Sequence, residues 1–343
     1  MTKYIRVSLG TANILGLTRI KVLENPTTAY LMSYIDGKCY ANCKFCTQAR
    51  DSSSKSNYLS RIIWPKYPLE KVLEALQRTK NIRRICLQTL IYPRYIEESA
   101  EIIGRIKSKV KIPISVSIHP RSREDILKIK NAGAERIGIG LDAATKELFE
   151  KVKSPFSWYK TIKLIDEALE IFGKNKVSVH LIYGLGESDL DFIRLMINLE
   201  KKKAIIGLFA FTPMEGTALE NKPAPRIEKY WAIQLAHHLI TKFSADLRNF
   251  KFDEKGNLIR IELDGKLREK IMSTFNLNGN LSEKEIMEKI IRSGEPFLTK
   301  GCPHCNRPFY NERPGELLYN YPSIKMVNKD IEIIFKSLNS ILS

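Results

Sequence analysis

The stretch Ala29-Tyr30-Leu31-Met32-Ser33-Tyr34-Ile35 is followed, after Asp36-Gly37-Lys38, by Cys39-Tyr40-Ala41-Asn42-Cys43-Lys44-Phe45-Cys46. The first half is apolar and reads as a strand. The second half is a loop carrying three cysteines at the spacing C-x3-C-x2-C. Thiolates select soft or borderline metals, and iron–sulfur clusters are held by closely spaced cysteines. Three ligands from one loop leave the fourth iron of a cubane open, as catalytic metal sites keep a vacant position. The alternative is a structural zinc site. Zinc would want a fourth Cys or His nearby, and Thr47 to Leu76 contains neither.

Strand-like and helical patterns alternate outward from this loop. A helix opens at Pro65 or Pro68 and runs to about Lys80, with Leu69, Val72, Leu73 and Leu76 on one face. Further strands are expected at 84–92, 112–118, 136–142, 177–183 and 204–212. Helices are expected at 96–109, 123–132, after Thr145, at 157–172, from Ser188 or Asp189 to Lys202, and at 226–247. Such strand–helix units imply a parallel sheet with right-handed crossovers, as an open doubly wound sheet or a partial barrel. The cysteine loop follows the C-terminal end of a strand, where α/β barrels place their active sites. Residues 1–26 read as an N-terminal segment with a short helix and turns, and 27–248 as the main α/β unit. Residues 249–343 form a C-terminal extension. It contains a β-hairpin turning at Glu254–Asn257, a capped helix over Ser282–Ser293 and a closing helix over 328–342.

Hydrophobic residues make up 43% of the chain, enough for a substantial core. No run approaches the length of a membrane span, and Met1 to Gly16 lacks a charged-then-apolar signal. A cytoplasmic location is expected, with no membrane association. The net charge of +18 fits nucleic acid, an acidic protein or a solvated surface. Six cysteines are too few for a disulfide scaffold in a chain of this size, and their clustering points to metal.

Cys302 and Cys305 form a second C-x2-C in the extension. Half a zinc site, a redox pair and two cluster ligands all remain open, although no βαβ unit surrounds the pair. Cys86 lies on the second strand, either as a core cysteine or near the mouth of the sheet. If the tail folds over that mouth, Cys86, Cys302 and Cys305 could together hold an auxiliary iron–sulfur cluster. Its fourth ligand would be a non-cysteine group or exogenous sulfide.

The spacing of Cys39, Cys43 and Cys46, with aromatic Phe45 before the last cysteine, resembles the radical S-adenosylmethionine (SAM) enzymes. The resemblance covers about residues 25–248. It implies an α/β fold, a partial (βα)6 TIM-like barrel with a small C-terminal α+β extension. It also implies a [4Fe-4S] cluster on the three cysteines whose open iron binds SAM. Ile182-Tyr183-Gly184-Leu185-Gly186-Glu187 resembles the family's G-x-I-x-G-x-x-E segment, with His180 in place of the first glycine. There the backbone around Ile182 and Gly184 contacts adenine and Glu187 organises the loop. Asp142, closing the fourth strand, resembles the residue that binds the ribose hydroxyls; an N-cap of the next helix is the other reading. Phe211 to Leu219 resembles the x-P-x-x-G-T-x-L segment of biotin synthase and its relatives. The tail Cys302-Pro303-His304-Cys305-Asn306-Arg307-Pro308-Phe309-Tyr310-Asn311-Glu312-Arg313-Pro314-Gly315 looks like that of the two-protein archaeal-type lipoyl synthases.

That resemblance implies sulfur insertion into an unactivated C–H bond of an octanoyl chain on a lipoyl carrier protein. The partners would be SAM, the acidic carrier, a second radical SAM subunit and an electron donor such as ferredoxin. A biotin synthase proper would lack the C-terminal cysteine pair. A tRNA methylthiolase would explain the charge, but the chain has no added basic β-barrel module, so nucleic acid is not the expected partner. A non-catalytic iron–sulfur protein is the rival from another class.

Overall fold

The computed structural model describes residues 2–342. Six strands form the frame: Thr28–Ser33, Arg84–Gln88, Ile114–Ser117, Arg136–Asp142, Val177–Tyr183 and Ile205–Ala210. They are called barrel strands one to six below. They lie side by side in that order and all pair in parallel. Helices fill the connections, so the chain folds as an α/β partial (βα)6 TIM-like barrel.

Period-two patterning decides which way each strand faces. Ile85, Leu87, Val116, Val179 and Leu181 are fully buried in the apolar core. Their alternates Cys86, Gln88, Ser115, Ser117 and His180 line an interior cavity. The inside of this barrel is therefore hollow and carries polar side chains on these strands, where many α/β barrels fill it with branched apolar side chains.

The sheet extends beyond the six strands. Tyr4–Val7 pairs antiparallel with barrel strand one, and Lys66–Pro68 pairs antiparallel with Tyr4–Val7. The N-terminal segment thus contributes a strand flanked on both sides, with Lys66–Pro68 at the sheet edge, where the sequence suggested only a short helix and turns. Ile5 and Val7 are fully buried in it. Barrel strand two ends at Gln88 rather than Tyr92, because the chain turns there to reach the cysteine loop: Tyr40 N donates to Ile91 O at 2.8 Å.

In the extension, Phe250–Phe252 and Leu258–Ile261 form the expected antiparallel hairpin. Glu283–Arg292 is a helix closed by a capping box between Ser282 and Glu285. The last long helix is Ile324–Leu338, displaced toward the N-terminus from its expected position. The extension covers the helix Ile227–Phe243, whose Trp231 Nε1 donates to Leu318 O at 3.0 Å. No helix among the described residues is long and apolar enough to cross a membrane.

Candidate active site

The cysteine loop is shaped mainly by backbone hydrogen bonds. Cys39 N donates to Gln48 O, and Cys46 N to Cys43 O, each at 2.9 Å. Asn42–Cys43 pairs antiparallel with Lys153–Ser154, which ties the loop to the chain after barrel strand four. Lys38 Nζ donates to Thr47 O at 2.6 Å and also to Ser54 O. The segment after barrel strand six clamps the far side. Ser53 N and Ser52 Oγ donate to Gly216 O at 3.0 and 2.8 Å. Gly216 has φ +77°, and a Cβ there would lie 2.4 Å from Ser54 N. Only glycine lets these two backbones approach so closely.

The three thiols sit in surroundings that ask for a cation. Burial raises all three, pushing Cys46 up to about 11. Backbone N–H groups nonetheless point at sulfur: Ile91 N lies 3.1 Å from Cys39 Sγ and Gln48 N lies 3.4 Å from Cys46 Sγ. Such donors stabilise thiolates, and a bound metal makes thiolates of buried thiols. Among the described residues no three Cys, His, Asp or Glu side chains converge on a single-ion position. A cubane asks for something different, one cysteine on each of three irons. The residues fit an iron–sulfur cluster.

A cavity of about 230 Å³ opens beside this loop and runs down through the barrel. Phe45, Cys46, Asp142 and Ile182 line it at the C-terminal ends of the strands. Asp142 is not an N-cap; Thr145 Oγ1 caps the next helix by accepting from Leu148 N. The Asp142 backbone is left-handed at φ +65°, and its Oδ2 accepts from Lys153 Nζ at 2.5 Å. Lys153 is buried and also donates to Gly140 O. Gly184 and Glu187 do not line the cavity. They form the turn behind Ile182, where the Glu187 carboxylate accepts from Gly184 N and Gly186 N. Burial pushes Glu187 upward.

The tail enters from the opposite end. Thr27 and Thr28 hydroxyls donate to His304 O, and Arg84 Nε donates to Pro303 O at 3.1 Å. Those residues stand at the N-terminal ends of barrel strands one and two. The expectation that the tail folds over the C-terminal mouth is therefore corrected. From there the tail climbs the open side of the barrel. Arg307 donates to Leu208 O at 3.1 Å, and Asn311 Nδ2 donates to Ala210 O at 2.8 Å. On the other side Tyr30 OH accepts from Arg307 N at 2.9 Å, and Arg61 donates to Phe309 O at 3.2 Å. The tail fills the seam between barrel strands six and one.

This path brings Cys302 and Cys305 to Cys86. All three line the one cavity. Burial first, then the neighbouring Cys305 and Cys302 thiols, push Cys86 upward, while the Arg307 and Arg84 guanidiniums oppose that shift. Burial likewise raises Cys305, whose Sγ lies 3.5 Å from Tyr30 OH. Buried thiols faced by two cations suit a second anionic cluster. Sequence reading missed Tyr30, Arg84, Ser115, Lys153 and His180. For all of these but Lys153, polar residues at alternate positions of strands with apolar alternates were the available signal.

Residues 34–197 match the model of the radical SAM superfamily. The match covers just under half of the chain. The match implies a [4Fe-4S] cluster with SAM as cofactors, and Cys39, Cys43 and Cys46 are the residues here that fit the cluster. Biotin synthase of Aquifex aeolicus is 27% identical over 223 residues, covering 62% of this chain and 63% of that protein. Biotin synthase of Campylobacter hominis is 27% identical over 252 residues, covering 70% of this chain and 74% of that one. The matched region thus spans less than two thirds of the Aquifex protein. The crystal structure of methylornithine synthase superposes with a TM-score of 0.50 at 16% identity, covering 89% of this chain and 81% of that one. That likeness is one of fold. The chain is thus similar to the radical SAM superfamily over residues 34–197 and to biotin synthases over part of their length.

Proposed function

We propose that this protein inserts sulfur into an unactivated C–H bond as one component of a two-protein lipoyl synthase. Its substrate would be an octanoyl chain on the lysine of a lipoyl carrier protein, and its place the cytoplasm. One observation carries the reading. A single cavity reaches both Cys46 and the group Cys86, Cys302 and Cys305. A carbon held in it faces the SAM end on one side and a sulfur source on the other.

With the first cluster reduced by a donor such as a ferredoxin, SAM supplies a 5′-deoxyadenosyl radical that removes hydrogen from carbon, and the second cluster supplies the sulfur. The chain's own residues bind, orient and exclude water. Phe45 and Ile182 wall the SAM end, and Asp142, fixed by Lys153, is oriented to accept from the ribose hydroxyls. The backbone at Gly184, organised by Glu187, would meet adenine. Leu59, Phe209, Phe211 and Tyr310 give the cavity between the two cysteine groups a largely apolar wall. Such a wall suits an alkyl chain and keeps water from a reactive carbon. The net charge of +18 would steer an acidic carrier domain.

A biotin synthase-like reaction is the second reading, favoured by the relatives. The test is an anaerobic assay of the reduced enzyme, with and without its companion subunit, on octanoyl-lysine carrier and on dethiobiotin. Thiolated octanoyl product supports the proposal. Turnover of dethiobiotin alone would replace it.

A further inference from the structure

We propose that the outer face of the cysteine loop, formed by Tyr40, Lys44, Arg94, Lys151, Tyr159 and Lys160, docks a small acidic electron-transfer protein that reduces the cluster beneath it. This rests on the reading above that Cys39, Cys43 and Cys46 hold a cluster.

The loop turns its cysteines inward and other side chains outward. Cys39 is buried and Cys43 and Cys46 are half-buried. Tyr40, between the first two cysteines, is 57% exposed, and Lys44, between the last two, is exposed. Two backbone bonds set the loop's neighbours. Tyr40 N donates to Ile91 O, past barrel strand two, and Lys44 N donates to Val152 O, past barrel strand four, each at 2.8 Å. The first contact brings exposed Arg94 to this side, and the second brings exposed Lys151. From Ser154, which pairs with Asn42, the chain passes Phe156, packed on His119 at 3.8 Å between ring centres. It then presents Tyr159, 67% exposed, and Lys160, also exposed.

The charge on this face is uncompensated. Asp51 is held by Arg50 at 2.9 Å, and Glu150 by Lys146 at 3.9 Å. Exposed Glu147 is left to oppose Lys44, Arg94, Lys151 and Lys160. Exposed aromatics among unpaired cations complement an acidic partner.

The position of the face selects the occupant. None of its six residues lines the cavity, which Phe45, Cys46 and Asp142 wall on this side. The face spans the ends of barrel strands two to four. The cavity wall of Leu59, Ser60, Thr212 and Asn311 belongs to the seam between strands six and one. Charge is mixed there, with Arg61 near Arg313, Glu312 and Glu316. A partner on the cysteine-loop face therefore reaches the cluster and not the reacting carbon. What a shielded cluster takes from outside is an electron. The donor's centre loses one electron and the cluster gains one, with no bond made or broken. Weak electron-transfer encounters use small interfaces, and charge steers them.

The test drives SAM cleavage in the full-length holoprotein with reduced acidic ferredoxin or with dithionite, over a range of salt, and counts 5′-deoxyadenosine. It compares wild type, the face variant Arg94→Glu/Lys151→Glu/Lys160→Glu and the distal variant Lys174→Glu/Lys176→Glu/Lys201→Glu. The distal variant makes the same charge change at exposed positions before barrel strands five and six. The expected result is a face variant slowed about tenfold or more with limiting ferredoxin at low salt, and with a flattened salt dependence. Its dithionite-driven cleavage, and both activities of the distal variant, should match wild type. A face variant as fast as wild type with ferredoxin, or a distal variant slowed equally, would overturn the docking face. If the unslowed face variant also lost binding to the octanoyl carrier, the face would belong to the carrier instead. No cleavage by wild type with either reductant would overturn the cluster reading, and the docking face with it. Should the face variant lose dithionite-driven cleavage too, the single reversals Arg94→Glu and Lys160→Glu decide, by the same ratio of the two reductants.

Discussion

The two cysteine groups of this protein are built in opposite ways. Cys39, Cys43 and Cys46 lie on one short loop, held by bonds among neighbours such as Cys39 N to Gln48 O. Cys86, Cys302 and Cys305 come together from barrel strand two and a tail more than two hundred residues later in sequence. The first group needs little beyond its own loop and the clamp at Gly216. The second exists only if the whole tail lies in the seam between barrel strands six and one. A local site carries its chemistry in its spacing; an assembled site carries it in the fold.

The sharpest way to break this comparison is to remove one cysteine from each group. Cys46→Ala should abolish reductive cleavage of SAM. Cys302→Ala should leave cleavage within a few-fold of wild type while abolishing sulfur insertion. Both are read by quantifying 5′-deoxyadenosine and thiolated product in one reaction. Loss of SAM cleavage in both variants would mean that the two groups are a single functional unit.

A smaller effect tests what holds the SAM end in place. Lys153 pairs with Asp142 in a buried setting and sits opposite Cys43 in the short ladder. Removing one partner of a buried pair costs about 3–5 kcal/mol, because the other charge is left uncompensated. Lys153→Met should therefore lower the unfolding midpoint and weaken SAM binding, measured by thermal denaturation and by titration calorimetry. An unchanged midpoint would show that Asp142 finds another partner.

The smallest effect concerns the tail. Burial pushes the Glu312 carboxyl up to about 7, although Asn320 N donates to it at 3.0 Å. The folded state therefore holds this proton more tightly than the unfolded state does. The contribution is favourable at acid pH and is lost as pH rises from the ordinary carboxylate range through about 7. Glu312→Gln should flatten the decline in melting temperature over that window. A parallel decline in wild type and variant would remove Glu312 from the explanation.

Much of this was legible in the sequence, for reasons that differ by region. The six strand–helix units showed because apolar residues recur at two clear periods, as in Arg136–Asp142 and in the helix face of Leu69, Val72, Leu73 and Leu76. The capping box at Ser282 and Glu285 was legible for the same local reason. Tyr4–Val7 was missed because four residues carry too little periodicity to announce a strand. The grouping of Cys86 with the tail pair could be guessed from the cysteine count, but not the direction of the tail. That direction is set by Thr27, Thr28 and Arg84, whose side chains bind tail carbonyls no sequence pattern marks. Lys153 was invisible because its role depends on the left-handed turn at Asp142.

The central claim is that the chain holds two clusters at opposite ends of one cavity. Anaerobic iron and sulfide analysis with Mössbauer spectroscopy, on wild type and on Cys302→Ala/Cys305→Ala, tests it most directly. The account predicts about eight irons in the wild type and about four in the double variant, one cubane per cysteine group. About four irons in both proteins would contradict it, and the tail cysteines would then have no part in sulfur transfer.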